Sequence, residues 1–488
     1  MTEFYACTDE HPLPDGRVTL LGACRAVTGA MTRVELGRSA LLVDCGVAQG
    51  REARGWRMPD AARDVDAVLL THGHNDHIGS LPALLDGGWR GPILGTRATL
   101  DVARLSLDDS LRMNDVPRAD AKAFLQAFDE LKRPLGYDRD GAPFEGFGGA
   151  VAFREAGHIL GSASVEIRYR ATRLVLSGDL GRPNSPVLRD PCTAWARDAD
   201  VDLVVMECTY GSREHSHGHD EIEATLERVL REAIARGGKV FVPAFAIGRT
   251  QTLLYFLDRL VTQGRVASVP VFVDTPMGLA VTELYQSNRA LYDRESLARL
   301  AAGDDPLDFA RLFSVKKGAD SARVRAHKGP AVVIAGSGMC AGGRILGHLA
   351  AGLPDPNNTV LFVGHQAEGT LGQRIQRAQG ATVRIEGDDV PVRARVETLR
   401  GLSAHADRKE TRGVARVAPR AAPRLALHHG DEEAQAALAA WAPRALRAAR
   451  RRRRARSLHA LAALAEGRGR GQQASTASNS AGAGARRR

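Results

Sequence analysis

The densest chemistry in the chain lies in Thr71-His72-Gly73-His74-Asn75-Asp76-His77. Three imidazoles and a carboxylate within six positions gain little from solvation, and protonated imidazoles repel one another. A divalent cation reverses that balance, because neutral imidazole nitrogen and carboxylate oxygen are zinc ligands. His72 and His74 can share one ion, while Asp76 and His77 reach a second beside it. A turn that needs only polarity has no use for this density. Two isolated residues further along extend the set. His158 stands in the glycine-flanked loop Ala156-Gly157-His158-Ile159-Leu160-Gly161, and Asp179 follows Leu174-Val175-Leu176-Ser177-Gly178. Alone, the first reads as a structural histidine and the second as a cap. Recurring at strand ends after the cluster, both read as metal ligands.

The elements that must position these groups are short apolar runs ending in loops, the usual place for chemistry on an α/β scaffold. Ala67-Val68-Leu69-Leu70 reads as a buried strand that delivers the histidine cluster. Arg17–Gly22 and Ser39–Asp44 read as earlier strands. Asp44 is expected behind the imidazoles, accepting a hydrogen bond rather than binding an ion. Ile78–Leu85 starts a helix that Gly87-Gly88 closes, and residues 97–135 read as one helical stretch. Strands return at Val151–Arg154, Ala163–Arg170, Arg173–Leu176 and Val201–Met206, the last ending in Glu207-Cys208-Thr209-Tyr210-Gly211.

From Ser212 the pattern becomes helix 220–236, strand Lys239–Val242, then Pro243-Ala244-Phe245-Ala246-Ile247-Gly248-Arg249-Thr250-Gln251 and a helix to Val261. Strands at Val269–Val273, Ala331–Ala335 and Val360–Val363 follow, and the alternation argues for a mainly parallel sheet. Gly336-Ser337-Gly338-Met339 can present backbone N–H groups to a phosphate, although many βα turns share that composition. From Val396 the chain reads as a return, through Ser403-Ala404-His405-Ala406-Asp407, a strand at Arg424–Leu427 ending in His428-His429-Gly430-Asp431, and a helix at Glu432–Ala442.

A chain of 488 residues, 44% apolar, predicts two or three domains with real cores. The net charge of +10 is concentrated at one end: residues 444–488 hold thirteen arginines against one glutamate, so the first 443 residues carry 10 − 12 = −2. The Arg450–Arg454 run and the Gly/Ser/Ala/Gln/Arg-rich segment after Gly467 read as a disordered tail, either merely solvated or in nonspecific contact with RNA. The six cysteines are scattered without a close pair, which suits reduced thiols rather than disulfides or a cysteine zinc site. No apolar stretch of about 18 residues suggests a membrane span, and no secretory signal opens the chain. A cytoplasmic location is therefore expected.

In order and context, His72-x-His74-x-Asp76-His77, His158 and Asp179 resemble the metal motifs of the metallo-β-lactamase superfamily. Glu207–Gly211, Pro243–Gln251, Gly336–Met339, Ser403–Asp407 and His429–Asp431 resemble its β-CASP branch, whose members process RNA or DNA. The resemblance is strongest to RNA-cleaving members and spans residues 17–442. It implies an α/β fold: a metallo-β-lactamase αββα sandwich from residues 1–210, resuming at 396–445, with a β-CASP domain of mainly parallel sheet inserted at 211–395 and a tail at 446–488. It implies two Zn2+ per chain. His72, His74 and His158 would hold one, Asp76, His77 and His429 the other, and Asp179 would bridge them. Asp76 and Asp179 would thus serve catalysis as well, and Glu207 with His405 match the family's acid–base pair. Ser337, Gly338 and Arg249 are candidates for backbone phosphates.

The expected activity is hydrolysis of single-stranded RNA, endonucleolytic or from an end, leaving a 5′-phosphate and a 3′-hydroxyl. A thioesterase- or lactamase-type hydrolase and a DNA nuclease are the alternatives, and a homodimer is compatible with the sequence. Cys208 stands where relatives usually have serine, Asp431 where they have glutamate and His365 where an aromatic is common. His428 and His429 leave the last ligand ambiguous by one position. The glycine and acid that follow His429 favour it.

Overall fold

The computed structural model describes residues 9–441 except 51, 194–200, 216–217 and 417–423. The Arg-rich tail at 446–488 lies outside the described residues. Two sheets stack face to face. The first has seven strands in the order Asp9–Leu13, Gly16–Leu20, Thr32–Leu36, Ser39–Val43, Ala67–Leu69, Ile93–Gly95 and Lys132–Pro134. The second has six, in the order Arg424–His428, Leu203–Glu207, Thr172–Leu176, Ala163–Tyr169, Gly149–Glu155 and Asp140–Gly141.

Alternation explains the stacking. In Thr32–Leu36, Val34 and Leu36 are buried while Arg33 and Glu35 remain half-buried, so one face turns inward. Val34, Leu36, Leu41 and Leu69 of the first sheet meet Val165, Ile167, Leu174 and Val205 of the second in one core. Helices cover both outer faces. Leu81, Leu84, Leu107 and Phe128 pack on Leu42 and Val68, and Val414 and Leu438 pack with Val175 and Met206. The result is the four-layer αββα sandwich. The helical stretch expected over 97–135 is two helices, Arg97–Met113 and Arg118–Leu131, followed by a short strand. Pro117 separates them, since it lacks an N–H and pushes the residue before it out of the helical region.

The chain leaves the second sheet after Glu207 and re-enters it at Arg424–His428, which pairs in parallel with Leu203–Glu207. Between these strands lies an all-parallel sheet in the order Leu312–Ser314, Val271–Asp274, Ala331–Ala335, Lys239–Pro243, Thr359–Phe362 and Arg395–Thr398. The inserted sheet runs to Thr398, because Arg395–Thr398 completes its edge. One continuous core links the two bodies: Ala98, Val102, Ile159 and Leu160 of the sandwich pack with Val242, Leu253 and Ile334 of the insertion. Among the described residues no helix is long and apolar enough to cross a membrane.

Candidate metal centre

The site forms where strands of both sheets end. After Ala67–Leu69 the chain turns through His72-Gly73-His74 into the one-turn helix Asn75–Ile78, which carries Asp76 and His77. Gly73 is needed there: a Cβ would stand 2.6 Å from Val102 Cγ1 and 2.9 Å from the Ala103 nitrogen. The loop can therefore pack flat on the helix Arg97–Met113.

The imidazole nitrogens converge. His72 Nε2 and His158 Nε2 lie 3.1 and 3.2 Å from His74 Nδ1, and His77 Nε2 lies 3.2 Å from His429 Nε2. Asp76 Oδ2 is 3.5 Å from His429 Nε2. Asp179 stands between the groups. Its Oδ2 is 3.6 Å from both His72 Nε2 and His158 Nε2, while its Oδ1 is 3.3 Å from His77 Nε2 and 3.4 Å from His429 Nδ1. That buried Oδ1 has no aligned hydrogen-bond donor among the described residues.

These spacings fit cations. Ligands about 2.0–2.1 Å from a tetrahedral zinc stand about 3.3 Å from one another, close to the nitrogen separations observed. His72, His74, His158 and Asp179 form one ligand-competent group, Asp76, His77 and His429 another, and Asp179, Glu207 and His405 a third. The first two groups adjoin through Asp179, an arrangement with donors enough for a pair of ions. Protonation agrees. Burial drives His72 and His158 well below the usual imidazole range and His74 down to about 4. Burial opposes ionisation of Asp76, but its hydrogen bond and charge contacts with His429 and His77 outweigh it and hold the carboxyl at about 2. Burial likewise opposes ionisation of Asp179, and the charges of His429 and His77 overcome it, so this carboxyl stays well below its usual range. Neutral imidazoles and ionised carboxylates are the forms that bind cations. His77 differs: burial lowers it, but Asp179 and Asp44 hold it well above its usual value, a place where a cation at Nε2 can substitute for a proton.

Behind the imidazoles, Asp44 accepts from Thr71 N and Thr71 Oγ1, both at 2.8 Å, and from His77 Nδ1 at 2.7 Å. Thr71 Oγ1 also lies 3.0 Å from His72 Nδ1, so one carboxylate orients two imidazoles. The pair His428-His429 divides cleanly. His428 Nε2 lies 2.7 Å from the Gly22 carbonyl, away from the cluster. His429, beyond the strand end at φ 51°, turns inward.

Glu207 and His405 form an adjoining pair. Glu207 is clamped: Oε1 accepts from Leu180 N at 2.8 Å and Oε2 from Thr209 N at 3.0 Å. His405 Nδ1 is 3.2 Å from Glu207 Oε1 and 3.8 Å from Asp179 Oδ2. Burial would lower the imidazole, but Glu207 and Asp179 outweigh it and hold it at about 9.

The candidates for phosphate contact are less uniform. Ser337 Oγ accepts from Ala341 N at 2.9 Å and Gly338 O from Gln366 Nε2 at 2.9 Å, so both tie their own loop together, and neither bonds to the clustered ligands. Arg249 differs. Its Nη1 is buried without a hydrogen-bond partner among the described residues. Burial pulls the guanidinium down to about 10, opposed by nearby Tyr210.

Sequence reading missed His215. Its Nε2 is 3.0 Å from the His405 carbonyl, and its backbone N–H donates to Asp407 Oδ2 at 2.9 Å. The signal was available: His215 follows the Glu207–Gly211 motif closely, but an isolated histidine in a polar loop has no local partner to reveal it.

Family models match three segments: the metallo-beta-lactamase superfamily at residues 25–244, the Beta-Casp domain at 250–375 and a Zn-dependent metallo-hydrolase RNA specificity domain at 389–447. Ribonuclease TTHA0252 of Thermus thermophilus is 40% identical over 428 residues, covering 86% of this chain and 95% of that protein. Transcription termination factor FttA of Methanocaldococcus jannaschii is 29% identical, covering 85% of this chain and 67% of that protein. Among solved structures, a protein of unknown function from Enterococcus faecalis V583 superimposes with a TM-score of 0.52 at 13% identity, covering 86% of this chain and 95% of that one. That likeness shows the fold.

Proposed function

The chain belongs to the metallo-beta-lactamase superfamily, in the branch with a Beta-Casp insertion, and on that premise we propose that it is a ribonuclease carrying two zinc ions and hydrolysing single-stranded RNA. The observation that carries the reading is Asp179, whose two oxygens face two separate groups of imidazoles while His405 stands beside one of them. The name of the Thermus relative and the RNA specificity model both support RNA as the polymer.

His72, His74 and His158 would hold one ion, Asp76, His77 and His429 the other, with Asp179 shared. When bound, such a pair of cations supplies Lewis acidity toward the phosphate and lowers the pKa of water. The chain's own groups then divide the remaining work. Asp44 and Thr71 hold His77 and His72 in orientation. Glu207 fixes the His405 ring through Nδ1, leaving Nε2 on the opposite edge for substrate. As the water oxygen joins phosphorus and the P–O3′ bond breaks, His405, held protonated, would donate from that atom to the departing 3′ oxygen, while the proton lost by the water passes to solvent. The products are a 3′-hydroxyl and a 5′-phosphate. The unpartnered Arg249 Nη1 is suited to a phosphate flanking the scissile bond.

The test is metal analysis together with turnover of end-labelled RNA, single-stranded DNA and a thioester. About two zinc ions per chain and RNA cleavage well above the other two are expected. Asp179→Ala should abolish cleavage while the protein stays folded. Full activity in that variant, or faster thioester turnover, would reject the reading.

A further inference from the structure

Among the described residues, Met113, Phe245, Leu297 and Phe313 are the large apolar side chains left strongly exposed. Two of them flank one loop. Phe245, 40% exposed, follows the strand Lys239–Pro243, and its ring lies against Gly338, where a Cβ would stand 2.7 Å from it. A Cβ on Gly364 would be 3.6 Å from the same ring. Met113, at the end of the sandwich helix Arg97–Met113, comes within 3.9 Å of the Cβ position of Gly342. An aromatic ring from the insertion and a thioether from the sandwich thus border Gly336–Gly343.

The ring is held. Phe245 O accepts from Thr250 N at 3.2 Å and from Thr250 Oγ1 at 2.8 Å, and the neighbouring Ala244 and Ile247 are buried. The same turn runs toward the metal centre. A Cβ on Gly248 would stand 3.0 Å from Ile159 Cγ2, next to His158, and Arg249 follows with its buried, unpartnered Nη1. The turns after Lys239–Pro243, Ala331–Ala335 and Thr359–Phe362 leave the carboxyl ends of adjacent parallel strands, the edge at which open α/β sheets hold ligands.

We propose that Phe245 is a base-stacking platform, its exposed face taking one unpaired nucleobase of single-stranded RNA that passes along Gly336–Gly343 toward the metal centre. The inference rests on the ribonuclease reading and names how the strand is recognised. A fixed aromatic face accepts any base, so it selects strandedness rather than sequence. Bases in an A-form duplex stay stacked on one another and cannot offer a face. Arg249 would take backbone charge from the same strand.

The test measures binding of a labelled single-stranded RNA of about twelve nucleotides, within the usual site size, to the zinc-loaded full chain made inactive by His405→Ala. Adding Phe245→Ala should weaken binding roughly 5- to 150-fold, the range for loss of one stacked base. Phe245→Trp should keep parent affinity. Phe245→Leu, which preserves packing on Gly338, should behave like alanine. An RNA with one abasic position should bind the parent more weakly at a particular register, and Phe245→Ala should not respond to that position. The salt dependence should be unchanged, because no phosphate contact is lost.

Affinity within about twofold of the parent in Phe245→Ala would overturn the platform, as would a shallower salt slope or an altered oligomeric state. If the parent itself binds no single-stranded RNA, the ribonuclease reading fails and the platform with it. Tight parent binding with no loss in Phe245→Ala removes the platform alone.

Discussion

Replacing Asp44 with asparagine should weaken the metal centre without touching a ligand. The carboxylate is 4% exposed and accepts three hydrogen bonds, from Thr71 N, Thr71 Oγ1 and His77 Nδ1. An amide has one acceptor end and one donor end, so either orientation fails. With its NH2 toward His77, Nδ1 must become the acceptor, and the imidazole proton moves to Nε2, the atom that faces Asp179. With its NH2 toward Thr71 N, two buried donors confront each other, an arrangement costing about 1–3 kcal/mol. Thr71 passes the disturbance to His72 through the 3.0 Å contact at Nδ1. Loss of such a supporting acceptor typically lowers metal affinity about 10–100-fold, or about 1.4–2.7 kcal/mol. Competition for zinc against a chromophoric chelator reads the affinity, and circular dichroism confirms the fold. Affinity within about twofold of the wild type, in a folded protein, would refute the argument that Asp44 sets the tautomer of His77.

Three other outcomes are expected. His405→Ala should retain zinc and lose roughly 10²–10⁴-fold in turnover, the usual worth of a general acid; zinc loss in metal analysis would mean that His405 is a ligand. His215→Ala should lower kcat about tenfold with little change in KM, whereas His215→Gln, which keeps a donor for the His405 carbonyl, should recover most of it. Equal impairment in steady-state kinetics would remove the positioning role. Burial raises Glu155 to about 7, against the hydrogen bond that it accepts from Gly157 N. A carboxyl raised in the folded state contributes stability below its unfolded pKa and loses it as pH rises through 7. Glu155→Gln should therefore reduce the fall in Tm between pH 5 and 8 by roughly 2–4 °C, as read by thermal melts at each pH.

Much of the site was legible because its ligand types are dense and local. His72, His74, Asp76 and His77 announce metal chemistry within one loop, and the apolar run before them places that loop at a strand end. His158 and Asp179 were suggested by context, since each recurs at a strand end after the cluster, whereas Glu207 and His405 were suggested only by the resemblance to the family. What no window of sequence contains is convergence. Glu207 and His429 are far apart along the chain, yet parallel pairing of Leu203–Glu207 with Arg424–His428 sets His428 opposite Glu207 and so delivers His429 to the same strand end. That pairing also separates His428 from His429: the first ends the strand and turns to Gly22, and the second leaves the strand in a left-handed conformation and enters the cluster.

Asp44 was expected to accept a hydrogen bond behind the imidazoles, but only the fold brings Thr71 and His77 onto its two oxygens and so names its partners. The open face of Phe245 is likewise a tertiary product, because an aromatic after a strand reads as core until packing leaves it uncovered. Residue types determine which chemistry the chain can carry, since ligand softness and charge are properties of side chains. Which of those groups meet, and which atom of each faces the centre, depends on sheet register and hydrogen bonds between distant strands, and only the folded structure decides that.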